Sequence, residues 1–301
     1  MTPASTRRIV AIGECMIELA SAGEGLYRKG FAGDTFNTAW YLRRELDADW
    51  RVAYLTALGT DPTSNEMLAF FAEAGIETTP VRRIDGAMPG LYMIHLDGAE
   101  RSFSYWRDTS AAKQLAADPG HLEAAFAGGD AFYFSGITLA ILPATDRNAL
   151  LEKLGAAKAA GKAVAFDPNI RPRLWPDPAE MRRSIKAAAG VSTICLPSFP
   201  DEKAAFGDAS LAETADRYLG LGADEVVVKD GPDPALVAYA NTREQVAAEA
   251  VAQALDTTGA GDSFSAAYFA ARLDGLPPID AARKGHALAA QVVQHYGALM
   301  R

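Results

Sequence analysis

The stretch Asp256-Thr257-Thr258-Gly259-Ala260-Gly261-Asp262-Ser263-Phe264, near the end of a 301-residue chain, is the segment that decides the fold. Glycines on both sides of Ala260 leave the backbone amides open to close approach by an anion. Residues 263–273 are rich in helix formers and contain no breaker, which predicts a helix starting at Ser263. The unpaired N–H groups and the positive dipole end of that helix would face whatever lies over the glycines. Asp262 would then stand beside an anion site.

This arrangement suits phosphoryl transfer, because a carboxylate beside an anion site can accept a proton. The same residues also fit a tight strand-to-helix turn in which aspartate acts only as the N-cap. Neither a Walker-type nor a Rossmann-type glycine motif occurs elsewhere in the chain. The nine residues alone therefore leave both interpretations open.

Composition excludes several classes of protein. A hydrophobic fraction of 49% and a charged fraction of 22% are typical of a globular protein with a large core, and the net charge of −9 disfavours a nucleic-acid surface. The two cysteines, Cys15 and Cys195, are expected to be free thiols in a reducing compartment. Glu14 and Glu18 interrupt the apolar start, which favours a first strand over a signal peptide. No stretch has the length of a membrane span, and the four histidines show no metal-ligand spacing. We expect a cytoplasmic protein without a membrane partner.

Short β-rich runs alternate with Ala/Leu-rich helical stretches along most of the chain. Strands are predicted at 9–12, 51–55, 131–134, 163–166, 192–196 and 225–228. Helices are predicted at 37–46, 64–74, 147–160, 179–188 and 211–221. Strands separated by helices of this length indicate βαβ units, so we predict an α/β fold, with a Rossmann-like, mainly parallel sheet flanked by helices. Residues 1–301 are predicted to form one domain.

Two regions break this alternation. Residues 18–31 and 82–106 have strand-like alternation, and 90–106 is predicted to form a hairpin that turns near Asp97-Gly98. We expect segments of about 14–34 and 82–108 to form a small β-sheet lid over one edge of the domain.

Polar residues follow the predicted strands at the edge where open parallel sheets bind ligands. The proline-containing segment 167–175 comes after one strand, and Lys229-Asp230-Gly231-Pro232 comes after another. Lys229 could equally be a solvent-facing lysine at a strand end. The Gly259–Asp262 turn is expected at the same edge.

With these residues in place, the chain resembles the ribokinase-like (PfkB) family of carbohydrate kinases from end to end. The family mark is the 256–264 segment. Further matches are Ile12-Gly13-Glu14-Cys15-Met16-Ile17-Glu18-Leu19, Gly33-Asp34-Thr35-Phe36-Asn37-Thr38, Thr56-Ala57-Leu58-Gly59-Thr60-Asp61, Gly90-Leu91-Tyr92, Tyr105-Trp106-Arg107 and Arg171-Pro172-Arg173-Leu174-Trp175. Within the family, these matches most resemble the kinases of 2-keto-3-deoxygluconate, a sugar acid.

The resemblance implies an ATP-dependent transfer to the terminal 6-hydroxyl of that acid. Asp262 would be the base, and the amides of Gly259, Ala260 and Gly261 would stabilise the transferring phosphoryl group. The sugar would be bound by Gly33, Asp34, Asn37 and Arg171 from the main domain and by Tyr92, Tyr105 and Arg107 from the lid. The nucleotide would be bound by Asp167, Asn169, Arg171, Lys229 and Gly231 together with the glycine turn.

Arg107 suits a substrate with a carboxylate, since a guanidinium can bind two oxygens at once. Without the resemblance it would be interpreted as a solvated arginine at a strand end. Asp34 and Asn37, three residues apart, could otherwise be an N-capping pair.

The resemblance further implies that Mg²⁺ arrives with ATP and that the chain forms a homo-oligomer, a dimer through the lid. A monovalent cation beside Asp256 and Thr258 is left open. The sequence departs from the family pattern in three places, one of which is Ile170, where relatives often carry tyrosine. Ala32 replaces the first glycine of Gly-Gly-Asp, and Ser198-Phe199-Pro200-Asp201 replaces an Asn-x-x-Glu element.

Two alternative functions remain. A kinase of the same family could act on a neutral sugar such as fructose or ribose. A protein with this fold could also bind a sugar acid without turning it over, because fold does not fix function.

Overall fold

The structure is a computed structural model that describes residues 6–97 and 100–300. The strands are β1 (Arg7–Ile12), β2 (Met16–Ser21), β3 (Tyr27–Ala32), β4 (Trp50–Leu58), β5 (Ile76–Glu77), β6 (Val81–Arg83), β7 (Leu91–Asp97), β8 (Glu100–Trp106), β9 (Ala131–Ser135), β10 (Ala163–Asp167), β11 (Ile194–Cys195), β12 (Glu225–Asp230), β13 (Asp233–Tyr239) and β14 (Thr242–Val246). The helices are α1 (Asp34–Glu45), α2 (Pro62–Glu73), α3 (Pro119–Phe126), α4 (Gly136–Ile141), α5 (Ala144–Ala159), α6 (Pro178–Gly190), α7 (Phe199–Phe206), α8 (Leu211–Gly220), α9 (Ala260–Leu273) and α10 (Pro278–Val292).

The main sheet has the strand order β14-β13-β12-β11-β10-β9-β1-β4-β5, with β6 paired to β4. Pairing is parallel from β5 to β12 and antiparallel between β12, β13 and β14. Its central strands are buried along their length, as is expected where helices cover both faces of a parallel sheet. One apolar core contains residues of α1, α2, α9 and α10, and a second contains residues of α3, α5, α6 and α8. The predicted α/β architecture with a mainly parallel sheet is confirmed.

A second sheet of four strands, in the order β3-β2-β7-β8, forms the lid. β7 and β8 pair antiparallel, as predicted for the hairpin, although its turn near Asp97-Gly98 extends into residues outside those described. The lid strands lie within the two predicted segments. However, Arg82 and Arg83 belong to β6, which pairs with β4 rather than with the lid.

The structure also differs from the sequence prediction elsewhere: the short helices α3, α4 and α7 had not been predicted, and α1 begins at Asp34 instead of residue 37. α9 begins at Ala260 instead of Ser263, because Gly259 turns the chain with φ of +79° and serves as the N-cap itself. The antiparallel pair β13–β14 and helix α10 had not been predicted. β14 is mostly exposed and polar, so it lacks the apolar run that marks the buried strands. Within the described part of the chain, no helix is long and apolar enough to cross a membrane.

Candidate active site

The site is built around the first turn of α9. A Cβ atom on Gly259 would lie 2.8 Å from the carbonyl oxygen of Ala298, and φ at Gly259 is +79°, so only glycine fits there without strain. The N–H of Ala260 donates to the carbonyl of Thr257 at 3.2 Å. This leaves the Gly261 amide, at the start of the helix, as the better-placed donor to an anion than the Ala260 amide.

Asp262 lies in that first turn as a partly buried carboxylate. Its Oδ2 accepts a hydrogen bond of 2.7 Å from Nδ2 of Asn37, which belongs to α1. Burial raises the pKa of Asp262 to about 8, and the neighbouring Asp34 and Asp167 add to the shift, while Asn37 and Lys229 oppose it. A carboxyl with a pKa near neutrality is suited to exchange a proton with a substrate hydroxyl.

The start of α1 forms the opposite wall. Gly33 is the N-cap, and a Cβ atom on it would lie 2.2 Å from the carbonyl oxygen of Glu14, so the chain can pass there only as glycine. The N-cap residue Gly33 makes no side-chain cap hydrogen bond, but Oδ1 of Asn37 accepts a 3.4 Å hydrogen bond from the N–H of Gly33, so Asn37 keeps part of a capping role. Asp34 instead accepts a 2.9 Å hydrogen bond from Nδ2 of Asn169.

The carboxyl end of β10 contributes a buried ion pair. Nζ of Lys229, at 8% exposure, lies 2.6 Å from Oδ2 of Asp167, so the alternative of a solvent-facing lysine is wrong. Ser265 of α9 donates to the same carboxylate oxygen at 3.1 Å. Asn169 follows with φ of +35°, and its backbone N–H donates to Oδ1 of Asp167 at 3.1 Å. The backbone bond holds Asn169 beside the end of β10, and its side chain reaches across to Asp34 of α1.

Arg171 and Asp201 form a second, more exposed ion pair at 3.3 Å. Asp201 lies in the first turn of α7, three residues after the N-cap Ser198. The family pattern has Asn-x-x-Glu at this place. Both residues of this pair line the same cavity as Asp262. Ser198 and Asp201, whose side chains are shorter than the Asn and Glu of the family pattern, therefore lie at the site. Asp201 is ion-paired with Arg171 there.

The lid contributes an aromatic wall. The ring centroids of Tyr92, Phe103 and Tyr105 lie 6.0–6.2 Å apart, and the hydroxyl of Tyr92 donates to Glu18. The guanidinium of Arg173, on the loop after β10, lies 4.3 Å from the centroid of the Tyr105 ring. This stacking connects the lid to the main domain at the mouth of the cavity.

Arg107 is placed differently from the sequence expectation. Its guanidinium pairs with the buried carboxylate of Glu14, which also accepts a hydrogen bond from Ser110. Burial raises the pKa of Glu14 above its ordinary value, although Arg107 and Ser110 act in the opposite direction. Arg107 is thus neither solvated nor exposed to the cavity in this conformation.

The cavity has a volume of about 380 Å³. The expected site residues that line it are Gly33, Asp34, Asn37, Tyr92, Tyr105, Asp167, Asn169, Arg171, Lys229, Gly259, Gly261 and Asp262. Ala260, Arg107 and Gly231 are not among its lining residues. The structure therefore brings together most of the expected residues from six separate parts of the sequence.

Sequence reasoning missed a second cavity of about 410 Å³, lined by Gln245, Val246, Ala247, Glu249, Arg283 and His286. Burial lowers the pKa of His286, and the ring packs edge-on against Phe264 of α9 at 5.0 Å between centroids. Among the described residues, the buried Nε2 of His286 has no hydrogen-bond partner. The sequence did not indicate the position of His286 at this cavity, because that position depends on how α10 packs on α9.

Comparison with known proteins agrees with this geometry. The model of the pfkB family carbohydrate kinases matches residues 6–300. The chain is 41% identical to a 2-dehydro-3-deoxygluconokinase of Dickeya dadantii, with 98% of this chain and 97% of that protein covered. It is 36% identical to a 2-dehydro-3-deoxygluconokinase of Haemophilus influenzae, with 98% and 96% covered.

Solved structures show the same fold. A PfkB protein from Polaromonas sp. JS666 superimposes with a TM-score of 0.85 at 29% identity, covering 96% of each chain. A ribokinase II from E. coli, solved in complex with ATP and Mg²⁺, superimposes with a TM-score of 0.84 over 97% of this chain and 94% of that one. At 22% identity, the second structure shows only the common fold. The chain belongs to the pfkB family of carbohydrate kinases.

Proposed function

We propose that this chain transfers the γ-phosphoryl group of ATP to the terminal hydroxyl of 2-keto-3-deoxygluconate, giving 2-keto-3-deoxy-6-phosphogluconate and ADP. The observation that carries the proposal is the Asp262 carboxylate, held by Asn37 at the start of α9 and facing the polar wall of Asp34 and Asn169. The 2-dehydro-3-deoxygluconokinases matched over nearly the full chain support the choice of substrate.

In the reaction, Asp262 takes the proton of the primary hydroxyl as the oxygen attacks the γ-phosphorus. The start of α9 supplies unpaired N–H groups and a positive dipole end where negative charge passes between the oxygens. Position contributes more than basicity, because phosphoryl transfer depends mainly on alignment and electrostatics. Asn37 keeps the carboxylate turned toward the cavity through its 2.7 Å hydrogen bond.

The residues present fit a Mg²⁺ ion that arrives with ATP. Among the described residues, no group of three His, Cys, Asp or Glu side chains could hold a metal ion by itself. Asp201 and Ser198 line the cavity and could hold water molecules of such an ion, which would neutralise phosphate charge. Mg²⁺ typically keeps several waters and binds through few carboxylates, as this donor set requires.

The second cavity is the place we propose for the nucleotide base. Its wall includes Val246 and Glu249, and the chain continues from there to Thr257 and Gly259 in the first cavity. His286 lines this cavity, and a small turn of its ring would bring the buried Nε2, which has no partner among the described residues, to a heterocycle bound there. We expect His286→Ala to raise the KM for ATP about tenfold and to leave the sugar KM unchanged, as measured by initial rates. An unchanged KM for ATP would place the base elsewhere.

The Glu14–Arg107 pair favours a second candidate, a kinase of a neutral sugar. Glu14 already neutralises Arg107 in this conformation, which is the arrangement expected if the substrate were a neutral sugar. Arg171 lines the cavity, and its guanidinium, paired at 3.3 Å with Asp201, could also bind a carboxylate there. The Arg107→Ala variant separates the two cases, because it should weaken binding of an acid much more than that of a neutral sugar.

The experiment that tests the function is a coupled assay of ADP release with ATP and Mg²⁺. The panel contains 2-keto-3-deoxygluconate, 2-keto-3-deoxygalactonate, fructose and ribose. Turnover confined to the two acids supports the proposal, whereas turnover of fructose or ribose alone selects the neutral-sugar kinase. Binding of an acid by calorimetry without any turnover would select a sugar-acid sensor. The cytoplasmic location expected from the sequence stays a prediction.

We also propose that the chain forms a dimer through the lid. The outer face of the lid, which points away from the cavity, carries apolar side chains, in which Leu19 neighbours Met93 and Leu91 neighbours Trp106 across paired strands. Trp106 is 58% exposed. An apolar sheet face of this kind is typical of a contact between subunits.

A further inference from the structure

The chain crosses between the main sheet and the lid at four places, and Glu14 touches all of them. The crossings are the links 13–15, 33, 84–90 and 107–110. Glu14 lies in the first, between β1 and β2. Its carbonyl oxygen lies against Gly33 in the second, where a Cβ atom would come within 2.2 Å.

The side chain of Glu14 reaches the other two crossings. A Cβ atom on Gly90 would lie 2.8 Å from Oε1 of Glu14 and 3.1 Å from Cβ of Arg107. Arg107 and Ser110, in the last crossing, both donate to the carboxylate. The side chain of Glu14 is 1% exposed and that of Arg107 is 10% exposed, so the pair is shielded from water.

We propose that Glu14 is a positioning residue of the lid: its carboxylate ties the four crossings together and so sets the position of the lid and of Arg107 relative to the sugar cavity. A buried ion pair contributes little net stability compared with apolar packing, but removing one partner leaves an uncompensated buried charge. Glu14 therefore fixes geometry more than it adds stability. No contact between Glu14 and the cavity is needed for this role.

The consequence for the reaction is a separation of effects. The lid contributes Tyr92 and Tyr105 to the sugar side of the cavity, whereas Asp262 and the start of α9 belong to the main domain. Loosening the four crossings should therefore weaken sugar binding and leave ATP binding intact. The kinetic part of this inference rests on the proposed kinase function, but the position of the lid does not.

The first test is the Glu14→Gln variant, which keeps the shape of the side chain and removes its charge. We expect the KM for the sugar to rise about tenfold, kcat to fall less than about threefold and the KM for ATP to stay unchanged. Amide hydrogen exchange in β2 and β7 should become about fivefold faster. The matched control is Glu66→Gln, which breaks another lid-to-core ion pair, with Lys29, in which Glu66 is 53% exposed and Lys29 is 47% exposed. An exposed pair contributes little, so the control should leave both readouts unchanged.

A double-mutant cycle with Arg107→Met tests whether Glu14 acts through Arg107. In the Arg107→Met background, Glu14→Gln should change the sugar KM less than about twofold, and the double variant should melt at a higher temperature than either single one. If Glu14→Gln fails to fold, Ser110→Ala removes one of the two donors while keeping both charges, and it should shift both readouts in the same direction. Additive effects in the cycle would overturn the inference.

The two proposals fail separately. If the wild-type protein turns over no member of the sugar panel, the proposed function fails, while hydrogen exchange in the lid still decides the role of Glu14. If the wild-type protein is active but Glu14→Gln keeps its sugar KM within about twofold and its lid exchange unchanged, the positioning role is wrong.

Discussion

At the scale of single residues, Asp262 combines a cost in stability with a catalytic role. Burial is the main cause of the raised pKa of its carboxyl, and the neighbouring Asp34 and Asp167 add to the shift. Replacing it by asparagine removes the charge and keeps an acceptor for Asn37. We expect Asp262→Asn to lower kcat about 10²- to 10⁴-fold and to raise the free energy of unfolding by about 1 kcal/mol. Rate measurements and urea unfolding check both effects, and a near-normal rate would exclude Asp262 as the base.

The raised pKa of Asp262 also sets a direction for pH dependence. Below pH 8 the carboxyl of the free protein is mostly protonated and cannot accept the hydroxyl proton, so kcat/KM should rise with pH and level off above about 8.

The stability linked to this raised pKa is present at pH values below the ordinary value of 3.8 and is lost as pH rises through about 8. The stability advantage of Asp262→Asn should therefore grow between pH 4 and pH 8. If kcat/KM fell between pH 4 and pH 8, Asp262 would not be the base.

The sequence identified which residues belong to the site more completely than it identified which of their side chains contact one another. The sequence identified Asp262, Asp34 and Asn37, since short motifs at strand and helix ends carry them. It could not show that Glu14 neutralises Arg107, because these residues lie 93 positions apart and meet only when the lid sheet forms.

At the scale of elements, the stacking of Arg173 on Tyr105 joins the loop after β10 to the lid strand β8. Arg173 stacks on Tyr105 at 4.3 Å, and the loop that carries Arg173 is held by Trp175, which packs 4.9 Å from the buried Arg147. The contact therefore joins a fixed loop to a lid strand, and Tyr105 lines the cavity.

We expect Arg173→Ala to raise the sugar KM about fivefold with little change in kcat, since a cation–π contact of this kind contributes about 1 kcal/mol. Initial-rate kinetics measure both constants. Arg183→Ala is the matched control, because Arg183 is an exposed arginine on α6 and its removal changes the net charge equally. Equal effects of the two variants would assign the change to net charge instead of the stacking contact.

The elements differ in how far sequence could define them. β1, β9, β10 and β12 were predicted within two residues because their apolar runs are buried on both faces. The start of α9 was placed three residues late, since a glycine N-cap in the left-handed region has no side-chain signal. β14 was missed because its exposed, polar run lacks the apolar pattern of a buried strand. α10 does carry an Ala-rich helical pattern with buried residues at helical spacing, which the sequence prediction did not use.

At the scale of the whole molecule, the lid has two faces with different tasks. Alternation along β7 and β8 directs Tyr92 and Tyr105 to the cavity, and it directs Leu91, Met93 and Trp106 to the outside. A four-stranded sheet with apolar side chains on both faces needs cover on each of them. The cavity covers one face, and α2 covers the β3 edge of the other through Phe31 and Lys29. A second copy of the chain would cover the rest of that outer face.

A lid-to-lid dimer makes a prediction for the whole molecule. Met93→Glu puts a charge into the middle of the outer lid face, so the dimer should dissociate at least about tenfold more readily, since a buried unpaired charge is costly. Sedimentation equilibrium measures this, with Tyr296→Ser as the control because Tyr296 is 73% exposed and outside the lid. The monomer should also bind the sugar more weakly, because the lid over the cavity loses the support of its partner. A monomeric wild-type protein, or a Met93→Glu variant that stays dimeric, would show that the outer face has another task.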